Sequence, residues 1–373
     1  EIPLASRVPA LDGFSNRSVM PCPGLQGQLH TPSPYPRRQW WMAAWSTEVG
    51  RSVLGRTILG EKVVLYRTES DEVVCTSGIC PHRMYPLEKG RLVGDALQCA
   101  YHGITFDASG RCTHVPSQEA VAPAALRRYP VLERAGTVWI WTGEPEAADP
   151  RLMPPLDEVG LCDGWRIDKQ GPIDLDARYT LLIDNLLDLS HVSFIHADTI
   201  PGAEAVARVP CEPVGSSQSF NNRRLGRGIP SSPYLQMLFP EYEGPVDQHF
   251  DAEYFGPCLI RTGGHFLIAG TEQKLGTVNF LHLITPETPT STRYFVATVR
   301  NFRTDDEPLS QFYLASGNAI APQDKEAITS IEHVLRTGQP LPREISVKAD
   351  VGSVQVRKRL TVQIRAESVS AEA

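Results

Sequence analysis

No stretch of the chain approaches the ~20 consecutive apolar residues that a membrane-spanning helix needs, which excludes a helical integral membrane protein. A concentrated charge of one sign is also missing. The net charge is −7 and no long basic run occurs, which argues against nucleic acid or an anionic membrane as the main partner. The start, EIPLASRVPALDG, lacks the basic segment and apolar core of a secretory leader, so no export signal is expected there. No internal repeat is visible, which argues against a solenoid or a propeller. Clustered cysteines are scarce too. Of eight, six (Cys22, Cys75, Cys112, Cys162, Cys211, Cys258) are scattered and read as free thiols in a reducing cytosol, not as a disulfide scaffold.

What is present is enough apolar material for well-filled cores, 41% of 373 residues, a length that suggests two or three domains. The 31 prolines and 29 glycines imply many turns. Residues 1–38 are rich in Pro, Ser and Gly and read as an arm. From Trp40 to Trp141 short β-like runs alternate with turns, at Lys62–Arg67, Glu72–Cys75, Leu97–Ala100 and Thr137–Thr142, which predicts a small all-β domain over 39–148. The connector GEPEAADPRLMPPLDEVG marks the boundary to a second domain, 149–373. There, residues 179–196 are helix-like, and 212–236 is polar, broken by Gly and Pro, and reads as a flexible loop or a surface insertion. Strands are expected at Cys258–Arg261, Thr277–Ile284 and Arg293–Val299. A helix is expected from Pro322 to Leu335, and a further apolar-periodic segment fills 345–367. The class is α+β: an all-β domain followed by an antiparallel sheet with helices segregated to one side.

One stretch carries specific chemistry. Cys80-Pro81-His82 is followed, after sixteen residues, by Cys99-Ala100-Tyr101-His102. Each pair holds one thiol and one imidazole. Structural zinc sites commonly keep both cysteines in one pair and both histidines in the other. A [2Fe–2S] cluster of the Rieske type needs two thiolates on one iron and two imidazoles on the other. Cys80 and Cys99 would then hold one iron, His82 and His102 the second.

A second set lies in YTLLIDNLLDLSHVSFIH, residues 179–196. Its apolar residues leave almost no polar face, so a regular helix here would be buried. Yet Asp184, Asp188 and His191 recur at i, i+4 and i+7, on one side. Unpaired charge in that setting is costly, and a metal would relieve it. His191 and His196 reach one ion only if the helix ends or bulges, which the weak helix former stretch Ser193–Ile195 permits. On the residues alone, two unrelated histidines, one buried and one at the helix end, are the favoured reading. A carboxylate would complete a two-histidine, one-carboxylate iron triad. Asp324 lies in line with Ile320, Ile328, Ile331 and Leu335, whereas Glu326 and Glu332 lie off that stripe. A helix-capping role for Asp324 after Pro322 remains open on residues alone.

The run CPHRMYPLEKGRLVGDALQCAYHGITFDASGRC resembles the Rieske domain of Rieske non-haem iron oxygenases. The likeness is greatest to the branch of vanillate and dicamba O-demethylases and herbicide N-dealkylases. The pattern Asn185, Asp188, His191, His196 resembles that family's iron motif, and NAIAPQDKEAITSIE resembles its downstream segment, with Asp324 in the ligand position. The resemblance implies a helix-grip catalytic domain, a Rieske [2Fe–2S] cluster and a mononuclear Fe(II) held by His191, His196 and Asp324. It implies a cyclic homotrimer in which Asp188 bridges an iron histidine to a cluster histidine of a neighbouring subunit. It further implies a ferredoxin and an NAD(P)H-dependent reductase as partners, O₂ as co-substrate, and a small aromatic substrate dealkylated at oxygen or nitrogen. Ring hydroxylation and a pure electron carrier are the alternatives. FLHLITPETPTSTRYF also resembles a segment of this branch, placing His282 either toward the substrate or in a strand pairing. The basic run VRKRL at 356–360 would meet an acidic ferredoxin or be a solvated helix face.

Overall fold

The hexapeptide WWMAAW forms strand β1 (Trp40–Trp45) with every residue buried, because both of its faces meet apolar partners. The computed structural model describes residues 35–121, 123–200, 206–215 and 219–372. Residues 1–34 of the expected arm, with Cys22, lie outside them. β1 pairs antiparallel with β10 (Thr137–Trp141), which pairs with β9 (Val131–Arg134). Trp40 and Trp141 meet at 5.5 Å between ring centroids. Tryptophans of this kind each bury roughly 150–250 Å² and dominate the energetics of a core. A second sheet holds β2 (Leu54–Ile58), β3 (Glu61–Arg67) and β4 (Val73–Ser77). A third holds β5 (Arg91–Val93), β6 (Ala96–Gln98), β7 (Thr105–Phe106) and β8 (Cys112–His114).

The second half is built on a nine-stranded antiparallel sheet from β11 (Arg166–Lys169) to β19 (Ser291–Arg300). Its long central ladder joins β17 (Leu259–Ile268), β18 (Lys274–Thr288) and β19. Alternation gives the sheet two apolar faces. Leu281, Leu283, Phe295 and Val299 join β1 and β10 in one continuous core. Ile260, Ile284, Tyr294 and Val296 turn to the other side, against α1 (Tyr179–Leu187), the long helix Glu307–Arg336 and the last helix Val351–Glu372. The two halves are also tied by backbone: Leu59 N–H donates to Pro286 O and the Thr285 hydroxyl to Met42 O. This is the expected α+β class. No described helix is long and apolar enough to cross a membrane.

Four expectations fail. The polar stretch 212–236 is not a loop over its described length. It contains β13 (Cys211–Gly215), the ten-residue β14 (Phe220–Ile229) and a short helix, Pro233–Leu238. Two of its polar side chains find protein partners: Asn222 donates to Leu187 O and Arg224 reaches Asp188, so tertiary pairing overrides propensity. The helix predicted to begin near Pro322 begins fifteen residues earlier, at Glu307, capped by Asp306 accepting from Leu309 N–H. Pro322 sits inside it. Gly317 in the same helix lies against Gln170, where any Cβ would collide with the amide. The apolar stripe on this helix also departs from expectation, since Ile328 is buried but Ile331 is 49% exposed. In VRKRL, Arg357 pairs with Asp184 and Val356 and Leu360 are buried. That run is neither a free docking face nor wholly solvated.

Glu332 is fully buried and forms an ion pair with Arg178 at 2.7 Å, extended to Arg336 at 3.0 Å. Burial pushes its carboxyl up, but hydrogen bonds from Arg178 and Arg336 outweigh this and hold it below the usual range. Removing one partner leaves the other charge buried and unpaired, so Glu332→Ala is expected to cost about 3–5 kcal/mol in denaturant unfolding. A depressed carboxyl contributes stability above its unfolded pKa and loses it as pH falls through the folded one. The gap between wild type and Glu332→Gln should therefore narrow below about pH 4.

Candidate metal centres

Cys80 and Cys99 head two loops of matching design. Cys80 N–H donates to Tyr85 O and Met84 N–H returns to Cys80 O; Cys99 N–H donates to Ile104 O and Gly103 N–H returns to Cys99 O. Each loop closes through a left-handed residue, Met84 at φ 54° and Gly103 at φ 70°. At Gly103 a Cβ would also press on Pro116. Both thiols are buried while His82 and His102 are exposed, their rings 4.6 Å apart at the centroids. Burial pushes the Cys80 thiol up. The N–H groups of His82 and Arg83, aimed at its sulfur, pull it down, and the adjoining Cys99 thiol raises it. Thiol therefore meets thiol and imidazole meets imidazole.

A single tetrahedral ion would need the four donors gathered at one point. Among the described residues only His191, His196 and Asp324 gather their ligand atoms that closely. The segregated, more widely spaced set suits a two-iron cluster better than zinc.

The second centre arises where α1 stops. The helix expected to run on through His191 ends at Leu187, because Asp188 leaves helical geometry (φ −111°, ψ 93°). Its carboxylate accepts from Ser190 N–H and from the Ser190 hydroxyl, both at 2.9 Å, a local alternative to the helix. A single 3₁₀ turn (Leu189–His191) and the short α2 (Val192–Ile195) follow. The shared i, i+4, i+7 face is therefore not realised. Asp184 pairs with Arg357 of the last helix instead; the main break precedes both histidines, and α2 ends at Ile195, between them. The later part of the segment is not buried as expected either: Phe194 is 78% exposed.

The break aims both rings at the long helix. His191 Nδ1 meets the Asp188 carbonyl at 2.6 Å, leaving Nε2 3.5 Å from Asp324 Oδ1. His196 Nε2 lies 3.1 Å from the same oxygen and its Nδ1 lies 2.7 Å from Gln323 Oε1. Asn185 donates to Asp324 Oδ1 at 3.1 Å, and its own Oδ1 is buried with no hydrogen-bond partner among the described residues. Burial lowers the pKa of His191. For His196, burial acts in the same direction but the Asp324 carboxylate outweighs it and raises the value. Burial pushes Asp324 up, yet the two imidazoles and Asn185 bring it below the usual range. Two imidazoles and one carboxylate converging, with an orphaned amide oxygen beside them, form the donor set of a two-histidine, one-carboxylate iron site. The rivals are elsewhere: Glu326 is exposed and Glu332 is tied to Arg178.

His282 sits on β18, on the sheet face toward the helices. It contacts Thr262 Oγ1 at 2.9 Å and the Tyr294 hydroxyl at 2.5 Å. Burial pushes its pKa down to about 4, so it is neutral near pH 7. Gln323, Thr199 and Arg224 were not singled out by motif reasoning. Only the adjacency of Gln323 to Asp324 could have drawn notice.

Residues 39–130 match the Rieske [2Fe-2S] domain, and residues 175–366 match the vanillate O-demethylase oxygenase C-terminal domain. A toluene-4-sulfonate monooxygenase iron-sulfur subunit from Comamonas testosteroni is 32% identical over 89% of this chain and 98% of its own length. The oxygenase component of a chloroacetanilide N-alkylformylase from Rhizorhabdus wittichii is 32% identical over 88% and 95%. Dicamba monooxygenase bound to 3,6-dichlorosalicylic acid superposes with a TM-score of 0.81 at 29% identity, covering 90% of this chain and 99% of that one. The chain belongs to the Rieske non-haem iron oxygenases, in the branch whose catalytic domain is that of the vanillate O-demethylase oxygenase.

Proposed function

We propose that this oxygenase component removes an alkyl group from the oxygen or nitrogen of a small aromatic compound. In this reading 39–148 is the Rieske domain and 149–373 the catalytic one. Cys80, Cys99, His82 and His102 hold the cluster; His191, His196 and Asp324 hold a mononuclear Fe(II). The observation that carries the reading is the convergence of those last three side chains, whose ligand atoms lie within 4.8 Å of one another. When bound, the two centres supply electron delivery and O₂ activation. The chain's own residues do the rest. Asn185 steadies the Asp324 carboxylate. Asp188 fixes the His191 ring through its carbonyl and keeps its carboxylate partly exposed, available to an imidazole of a neighbouring subunit in a cyclic homotrimer. His282, Thr262 and Tyr294 bond to one another across neighbouring strands, an uncharged cluster on the sheet face toward the helices. Electrons reach the oxygenase from an NAD(P)H-dependent reductase through a ferredoxin.

The chemistry consumes O₂, two electrons from the reductase and ferredoxin and two protons: one oxygen atom enters a C–H bond of the alkyl group and the other leaves as water, and the hemiacetal or hemiaminal collapses to an aldehyde and the freed phenol or amine. The N-alkylformylase and dicamba relatives support this outcome. A second reading, oxidation of a methyl carried on the ring, is favoured by the toluene-4-sulfonate relative. Turnover of a panel of aryl ethers, N-alkyl anilides and toluene derivatives with a compatible ferredoxin and reductase separates them. We expect aldehyde and freed phenol or amine in equal amounts. A retained hydroxymethyl group would favour the second reading, and a diol or catechol without aldehyde would favour attack on the ring.

A further inference from the structure

The two histidines beside Asp324 are held by different means. His191 Nδ1 rests on a backbone carbonyl, that of Asp188, which no side-chain substitution removes. His196 Nδ1 rests on a side chain, the amide oxygen of Gln323 at 2.7 Å. Gln323 is itself fixed, since its nitrogen donates to the Thr199 hydroxyl at 2.8 Å. Thr199 belongs to the turn that His196 opens, closed by Thr199 N–H donating to His196 O at 2.9 Å. Gln323 and Asp324 are consecutive residues of one helix. They grip the imidazole at its two nitrogens, Gln323 at Nδ1 and Asp324 facing Nε2 at 3.1 Å.

We infer that Gln323 is a positioning residue of the mononuclear centre, one that selects the tautomer of His196. This rests on reading His191, His196 and Asp324 as metal ligands. With Gln323 Oε1 as acceptor, the neutral ring carries its proton on Nδ1, and Nε2 presents its lone pair to the metal. The hydrogen bond also stops the ring from rotating about χ2, being the contact at that edge among the described residues. Thr199 holds the far end of the amide, its hydroxyl accepting from the Gln323 nitrogen. The sequence carries this device as the dipeptide Gln323-Asp324. A partner of this kind typically contributes about 10–100-fold to metal affinity when removed and restored.

The test uses holoenzyme stripped of its mononuclear metal by a chelator, with the Rieske absorption confirming that the cluster is retained. Cobalt(II) affinity is then measured by competition against a chelator, without turnover. Gln323→Met keeps the length and volume but removes the acceptor, and is expected to bind cobalt(II) about 10–100-fold more weakly. Gln323→Glu restores an acceptor and is expected to bind at least as tightly as wild type. Wild-type affinity in Gln323→Met overturns the inference, and so does an equal loss in Gln323→Glu, which would point to packing alone. If Gln323→Met does not fold, Thr199→Val, which frees the far end of the amide, is expected to show a loss of the same sign, and wild-type affinity there overturns the inference. His196→Ala and Asp324→Ala are titrated alongside. If both still bind tightly, the ligand assignment has failed, a different outcome from a failure at Gln323 alone.

Discussion

Replacing Asp324 with alanine is expected to abolish turnover and strip the mononuclear metal while leaving the Rieske spectrum at wild-type strength. The carboxylate is the only anionic group within reach of both His191 and His196, at 3.5 and 3.1 Å, among the described residues. Without it the site keeps two neutral imidazoles and a buried amide whose donor has lost its acceptor. A fall in kcat of about a thousandfold or more is expected, equivalent to about 4 kcal/mol of barrier. The cluster residues lie in a different sheet region, and their spectrum reports on fold as well as loading. Glu326→Ala, at an exposed position on the same helix, should turn over normally. Normal turnover in Asp324→Ala would place the third ligand elsewhere.

Cys80→Ser should remove the visible absorption and the reduced-state EPR signal of the cluster, and with them all ferredoxin-driven product. The buried Cys80 sulfur touches its counterpart on Cys99 and receives the N–H groups of His82 and Arg83. Those donors favour a thiolate, and a serine oxygen is a harder, poorer ligand for a cluster iron. Cys75 provides the contrast. It is fully buried in the core that β1 and β10 share, and burial alone pushes its thiol far up. Cys75→Ala should retain the full cluster spectrum. A colour loss in both variants would trace to folding, not to ligation.

Much of this was legible in the chain. The order of thiol and imidazole in the two pairs was enough to separate a two-iron cluster from zinc, since ligand type follows local spacing. Strands β3, β4, β18 and β19 read correctly because alternation and β-branched content agree there. β14 was missed because FNNRRLGRGI owes its strand geometry to distant partners, Leu187 and Asp188 among them. The break at Asp188 was missed for the opposite reason. The apolar spacing of 179–196 is helical throughout, and one carboxylate capping Ser190 ends the helix. The start of the long helix was masked by Pro322, which local rules place at a first turn and which here lies well inside. The core uniting both halves joins Trp40–Trp45 to residues more than two hundred positions away, and no local pattern encodes such a contact.

The central claim is that two distinct iron centres share this chain, and metal analysis of anaerobically purified, iron-loaded protein tests it most directly. The account predicts about three irons per chain, two in a cluster with a Rieske EPR signal and one removable by chelator without loss of that signal. Two irons per chain with full Rieske signal and no chelatable iron would contradict it, leaving an electron carrier in place of an oxygenase.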